Sequence, residues 1–584
     1  MPKHDEKNCL NGLSASKGIV IGTAYVRKAD QEMIIPRSLV PGNKIPEEME
    51  KLETAQRLVA EELELVKNKI EERLGPSYSD IISAQLAILK DQEINKQVQA
   101  YIEEHHINVA FAYKLVVNQY IELLEDNNSE YFNERAADIR DIKRRVIRAL
   151  ISKKTVLSSL DTDLPTIFVA RDINPADIMM LVSENIIGFI CEFGGKTSHV
   201  AILARAMKVP MISGVKDATQ LIETGQTCIL DANGAKVYIQ PSQEMLDEYD
   251  REILENNRKE KAFIAKSKNK AVTKDGYEFA LGANISLPVE VDDVKMYGAQ
   301  GIGLYRTEYL YIMKQHLPEE EELFKEYRQV AQAMEGKEVV IRTIDLGGDK
   351  MSALWEKDIR YESNPFMGYR AIRICLDNPK VFSTQLKAIL RASAFGKVSI
   401  LIPMITHLEE LMESLELIEK IKLNLDKEGI PYDRSIKIGM MVETPSVVMN
   451  IDAYANKVDY FSIGTNDLTQ YGLAVDRGNE KVTNVYSHYD PAIIKMIKVI
   501  VESGHKAGIP VYVCGEMASE YRALVLFSAM KVDGLSVAPR YIGEVRDRIS
   551  ECNQKKAQEH LEKILEIHTR NEIIAYIDGL ENCS

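Results

Sequence analysis

Between Pro46 and about Leu150 the apolar positions follow a helical period. Met49, Leu52, Val59, Leu63, Val66, Ile70 and Leu74 fall at multiples of three and four with charges between them, and Gly75-Pro76 breaks the run. That spacing keeps one narrow apolar seam on a long helix. Similar patterns over roughly 78–100, 108–126 and 130–151 predict a four-helix bundle with short connections.

On either side the period changes. Residues 18–26 read as a strand, and strand-like runs return at 166–170, 186–190, 211–214 and 227–231. The bundle, residues 33–151, is therefore expected as an insertion in a small α/β domain made of 1–32 and 152–241. Residues 242–270 are highly charged and, from Glu244 to Lys270, hold neither glycine nor proline, which predicts a linker helix between domains that move relative to each other. From Thr273 onward strand and helix patterns alternate, with strands expected at 279–285, 301–306, 339–345, 398–404, 436–443, 459–465, 510–515 and 533–537. That count predicts a (β/α)8 TIM-type barrel over 271–584, with a doubly wound open sheet as the competing fold. The fold class expected is thus α/β multidomain. The barrel is favoured because Arg306, Arg342, Glu443, Asn466, Asp467 and Cys514 all fall at or just past strand C-termini, where barrel enzymes build their sites.

Composition narrows the function. A chain of 584 residues is too long for one core. Its net charge of −15, without any Lys/Arg block, argues against general nucleic-acid binding, so an anionic substrate needs a local cluster of arginines. Seven scattered cysteines without a Cys-x-x-Cys pair suit a reduced, cytoplasmic protein without structural zinc. The N-terminus lacks the apolar core of a signal peptide, and no apolar run reaches the length that spans a bilayer, so no membrane insertion is expected.

Candidate chemistry lies at two places. In Gly194-Gly195-Lys196-Thr197-Ser198-His199, the capping residues Thr197 and Ser198 and the apolar run after them place His199 in the first turn of a helix. Unpaired N–H groups and the positive end of the helix dipole there favour a dianionic phosphate on the imidazole. At the expected barrel mouth, an isolated carboxylate usually caps a helix or pairs with arginine. Glu443 and Asp467 on successive strand ends, however, form a candidate site for one Mg²⁺. Arg306, Arg342, Arg370 and Arg477 converging there imply a small phosphorylated acid as substrate. Cys514 is read either as small-residue packing or as a proton donor or acceptor.

These segments, together with Tyr131-Phe132-Asn133-Glu134-Arg135-Ala136-Ala137-Asp138-Ile139-Arg140-Asp141, Gly303-Leu304-Tyr305-Arg306-Thr307-Glu308, Gly347-Gly348-Asp349-Lys350, Val442-Glu443-Thr444-Pro445, Gly464-Thr465-Asn466-Asp467-Leu468-Thr469-Gln470 and Cys514-Gly515-Glu516, lie in one order along the chain. The chain resembles, nearly end to end, the Enzyme I family of bacterial phosphotransferase systems. The resemblance implies that phosphoenolpyruvate phosphorylates His199 and that the phosphoryl group passes on to the histidine phosphocarrier HPr in sugar uptake. It also implies that HPr docks on the inserted helices and that the barrel forms a homodimer. By the same resemblance Arg306, Arg342, Asn466, Asp467 and Arg477 bind substrate, with Arg370 and Lys350 as further candidates. Glu443 and Asp467 hold Mg²⁺, and Cys514 protonates the enolate.

Pyruvate phosphate dikinase and phosphoenolpyruvate synthase share the histidine segment but need an ATP-binding domain of about 200 residues. The residues before His199 are taken up by helices and part of the histidine domain, with no Gly-x-x-x-x-Gly-Lys loop. A phosphorelay regulator reporting phosphoenolpyruvate is expected to carry an extra N-terminal sensor domain, for which the sequence offers no segment. Two segments depart from the family pattern, 485–493 and 533–543.

Overall fold

A computed structural model of the chain describes residues 8–27, 35–74, 79–125, 130–152, 164–173, 177–178, 181, 185–193, 199–312, 317–347, 364, 366–477, 479, 481–482 and 484–580. It divides into two compact units, 1–257 and 258–584.

The first unit contains the helices α1 (Ile45–Leu74), α2 (Asp80–Leu89), α3 (Gln92–His105), α4 (Val109–Glu125) and α5 (Glu130–Ser152). Five helices, not four, are therefore present among the described residues of the inserted region. The expected single helix over 78–100 is two, because the Asp91 side chain accepts from the Glu93 N–H at 2.8 Å and caps a new start. Leu52, Val59, Leu63, Val66 and Ile70 on α1 are all buried, as the seam required. Among the described residues, no helix is long and apolar enough to cross a membrane.

The same unit holds a mixed eight-stranded sheet of β1 (Cys9–Asn11), β2 (Leu13–Ser16), β3 (Ile19–Arg27), β4 (Thr166–Ala170), β5 (Ile186–Cys191), β6 (Met211–Ser213), β7 (Thr227–Asp231) and β8 (Lys236–Ile239). Its order is β1-β8-β7-β3-β4-β5-β6-β2. The chain leaves the sheet after β3 and returns in parallel beside it as β4, so the helices are an insertion between neighbouring strands. A buried charge network joins the two layers. Arg145 of α5 donates to Asp141 at 2.8 Å and to Glu62 at 2.6 Å and lies 3.6 Å from Asp177, which also pairs with Arg27 at 2.7 Å. Burial raises the Asp141 carboxyl, but Arg145 and Arg144 outweigh it and hold the group below the usual carboxylate range.

The second unit is a closed barrel. After the short β9 (Ala271–Val272) come eight parallel strands: β10 (Glu278–Ile285), β11 (Ile302–Tyr305), β12 (Val339–Arg342), β13 (Val398–Ile402), β14 (Lys437–Val442), β15 (Tyr460–Gly464), β16 (Val511–Cys514) and β17 (Gly534–Val537). β10 pairs with both β11 and β17, which closes the ring and excludes the open sheet. Alternation along the strands separates two cores. Ile341, Ile400, Met440, Val442 and Phe461 belong to the core shared with the helices, whereas Leu304, Val340, Leu401, Met441, Tyr460 and Cys514 form a separate cluster inside the ring. Arg342 and Glu443 share the parity of the inner set and so belong to the inside of its C-terminal end.

Replacing Arg145 by alanine leaves the Asp141 and Glu62 carboxylates buried without their shared cation. We expect a loss of about 3–5 kcal/mol in denaturant unfolding of the full chain; a change below about 1 kcal/mol would show that water or neighbours compensate.

Candidate functional site

The strand ends bring the predicted side chains to one level. Parallel register sets Val442 beside Ile463 and Gly464 beside Cys514, so Glu443, Gly464 and Cys514 are neighbours around the ring. Asn466 and Asp467 follow in the first turn of the helix Thr465–Gly472. Glycine is required at 464 because a Cβ there would lie 2.5 Å from Glu443 Oε2. Gly515, at φ +114°, likewise passes where a Cβ would meet Thr465 Oγ1 at 2.3 Å, and this leaves the Glu516 N–H free to donate to Asn466 Oδ1 at 3.1 Å.

The arginines are locked by acids that the motifs did not single out. Arg342 donates to Glu308 at 2.9 Å and pairs with Asp345 at 3.0 Å. Arg370 donates to the same Asp345 at 2.6 and 3.2 Å and to Tyr471 Oη at 3.0 Å, and lies 3.5 Å from Asp467 Oδ1. Burial raises Asp345, but Arg370 and Arg342 prevail and keep it ionised. Arg306 is half-buried, its N–H donating to the Ile285 carbonyl at 2.9 Å, and it lies close enough to draw the Cys514 thiol downward. Arg477 is exposed, borders Tyr486 and contributes to the ionisation of Asp345. The structure thus gathers Arg306, Arg342, Arg370, Glu443, Asp467, Asn466, Arg477 and Cys514 at one mouth. Lys350, residues 194–198 and the side chain of His199 lie outside the described residues. The backbone places His199 as the first residue of the helix His199–Ala206.

Two oxygens stand out electrostatically. Glu443 accepts from the Met404 N–H at 2.7 Å through Oε1, with Met404 itself in the left-handed region at φ +59°. Its Oε2, and Oδ1 of Asp467, are buried without a hydrogen-bond partner. Burial pushes the Glu443 carboxyl up to about 8, and the neighbouring carboxylates Asp467 and Asp345 add to the rise against Arg342 and Arg370. Two buried carboxyl oxygens without a hydrogen-bond partner are a donor set that suits a hard divalent cation. Among the described residues no cluster of three or more His, Cys, Asp or Glu side chains is arranged for a metal, so two carboxylates would leave most coordination positions to substrate and water.

Cys514 is buried, 3.3 Å from Ser462 Oγ, and burial raises its thiol despite Ser462 and Arg342. The thiol form is therefore favoured, as a proton donor requires. The irregular segment near 485–493 packs directly on the site helix. Tyr486 donates to the Asn466 carbonyl at 3.1 Å, His488 Nδ1 lies 2.8 Å from Thr469 Oγ1, and Tyr489 donates to Glu520 at 2.6 Å. Sequence reasoning passed over Glu308, Asp345, Tyr471 and His488. Of these, Asp345 and Glu308 carried a signal, as acids three residues past Arg342 and two past Arg306 at strand ends.

Three profiles of phosphoenolpyruvate-utilising enzymes match the chain: the N-terminal domain over 11–135, the mobile domain over 163–234 and the phosphoenolpyruvate-binding domain over 260–554. The phosphoenolpyruvate-protein phosphotransferase of Bacillus subtilis is 39% identical over 569 residues, covering 97% of this chain and 99% of its own. That of Staphylococcus carnosus is 37% identical over 570 residues, covering 97% and 98%. That of Haemophilus influenzae is 37% identical over 576 residues, covering 98% and 99%.

Burial lowers the pKa of His488 below its ordinary value near 6.5, with Glu520 opposing. A depressed base favours the folded state above its unfolded pKa, and that contribution is lost as pH falls through about 6.5 toward the folded value. As pH falls below about 6.5 the wild type should therefore lose unfolding free energy more steeply than His488→Gln. Parallel profiles in denaturant titrations would show that His488 charges freely in the folded protein.

Proposed function

This chain belongs to the phosphoenolpyruvate-protein phosphotransferase family, and on that premise we propose that it moves the phosphoryl group of phosphoenolpyruvate to its own His199. The P–O bond to the enol oxygen breaks, an N–P bond forms on the imidazole, and pyruvate leaves. A histidine of the carrier HPr then takes the phosphoryl group, the first step of sugar uptake by a phosphotransferase system. The observation that carries this reading is the convergence of four arginines, two under-coordinated carboxyl groups and a thiol at one barrel mouth.

In this reading Arg306, Arg342, Arg370, Arg477 and Lys350 hold the carboxylate and phosphate of the substrate, and Asn466 donates a hydrogen bond to it. Glu443 and Asp467 would hold Mg²⁺. Bound there, it would supply positive charge to the oxygens of the transferring group. Cys514 carries a proton beside the site and gives it to the methylene carbon of the enolate, yielding ketonic pyruvate and a thiolate next to Arg342. Water later returns that proton.

His199 belongs to the first compact unit and the arginines to the second, so transfer requires His199 to meet the barrel mouth. The helix Gln243–Ala265 spans the boundary and is the natural hinge. We assign the α/β phosphohistidine role to 1–32 with 152–241, HPr docking to 33–151, and substrate binding with homodimer formation to 271–584, in a cytoplasmic enzyme.

Incubating the full chain with Mg²⁺ and labelled phosphoenolpyruvate should place acid-labile phosphate on the wild type and none on His199→Ala. Labelling from ATP, or undiminished labelling of the alanine variant, would overturn the assignment.

A further inference from the structure

The loops that carry Arg306 and Arg342 are both tied to one amide outside the barrel. Gln385 lies on the helix Pro379–Ser393, fully buried among Phe382, Leu386 and Ile389. Its Oε1 accepts from the Ile344 N–H at 3.0 Å, and its Nε2 donates to Thr307 Oγ1 at 3.0 Å and to Tyr327 Oη at 3.2 Å. Thr307 Oγ1 in turn donates to the Arg342 carbonyl at 2.8 Å. Thr307 follows Arg306, and Ile344 stands between Arg342 and Asp345, the acid that orients both Arg342 and Arg370.

An apolar residue would pack as well at this position on the wall helix, so the amide has a different use. It satisfies three groups at once, in an orientation that only a side chain with both donor and acceptor meets. We propose that Gln385, acting through Thr307 and Ile344, is a positioning residue that fixes the spacing of the Arg306 and Arg342 guanidinium groups for a dianionic phosphate and its neighbouring carboxylate. The proposal rests on the reading of those arginines as substrate ligands. Without the amide, the Ile344 N–H loses its partner and the Thr307 hydroxyl keeps only its bond to the Arg342 carbonyl. The two loops then relax independently, and bidentate recognition tolerates little displacement.

Steady-state kinetics on the full chain with Mg²⁺, phosphoenolpyruvate and HPr test it. Gln385→Leu and Thr307→Val should each raise KM for phosphoenolpyruvate by about tenfold with a smaller change in kcat, the mark of lost substrate binding. Thr307→Ser, which keeps the hydroxyl, should restore the wild-type KM. The double variant should be no worse than either single one, because both break one chain of bonds. Phosphoryl exchange between the phosphorylated protein and HPr should be unchanged in all of them. Should Gln385→Leu not fold, the Thr307→Val and Thr307→Ser pair decides alone. Wild-type KM in folded Gln385→Leu and Thr307→Val, or equal damage from Thr307→Ser and Thr307→Val, would overturn the positioning role. An Arg342→Met control separates the layers: if it leaves KM unchanged, the reading of the arginines fails as well, and if it raises KM while Gln385→Leu does not, only the role of Gln385 fails.

Discussion

Two carboxyl groups buried together at one barrel end are the constraint on which the site depends. Glu443 and Asp467 stand on adjacent strand ends, and Asp345 lies close enough to act on both the acids and the arginines. Like charges in a low dielectric repel, so one group must keep a proton, find a cation or be neutralised by a ligand. Nearby oddities follow from this crowding. Gly464 leaves room for Glu443 Oε2, Met404 adopts a left-handed backbone and supplies an N–H to Oε1, and Arg370 leans toward Asp467. The left-handed backbone at Met404 would cost stability in a barrel that only had to fold.

The first unit shows the contrast. Its buried charges set Arg145 among three acids, with Glu62 and Asp141 at hydrogen-bonding distance and Asp177 at 3.6 Å. That network links helices to sheet, and none of its carboxylate oxygens is among the buried ones without a hydrogen-bond partner. At the barrel mouth the arginines are paired too, yet Glu443 Oε2, Asp467 Oδ1 and Arg342 Nε have no hydrogen-bond partner. Buried carboxylate oxygens left open in this way suit a site that is completed by what it binds.

Much of this was legible in the chain because period survives in sequence. All eight barrel strands fall inside the predicted ranges or within a residue of them, since buried parallel strands read as short apolar runs between turn signals. The break at Asp91 was missed because α2 and α3 continue one apolar rhythm across a cap that occupies a single residue. Arg306, Arg342, Glu443, Asp467 and Cys514 were visible as reactive types at strand ends. Gln385 was not, because an amide inside a helical apolar run looks like a solvated position until the fold turns it inward. Nor was the seat of His488 against Thr469, which is made by a loop that crosses the site helix far along the chain.

The central claim is that the two carboxyl groups, the arginines and a divalent cation together make the phosphoenolpyruvate site. It is tested most directly by calorimetric titration of phosphoenolpyruvate into the full-length His199→Ala protein, which cannot turn over. Binding that requires Mg²⁺, and that disappears in the additional Glu443→Gln, Asp467→Asn background, is the predicted result. Equal binding with and without Mg²⁺, or binding indifferent to those two substitutions, would contradict it.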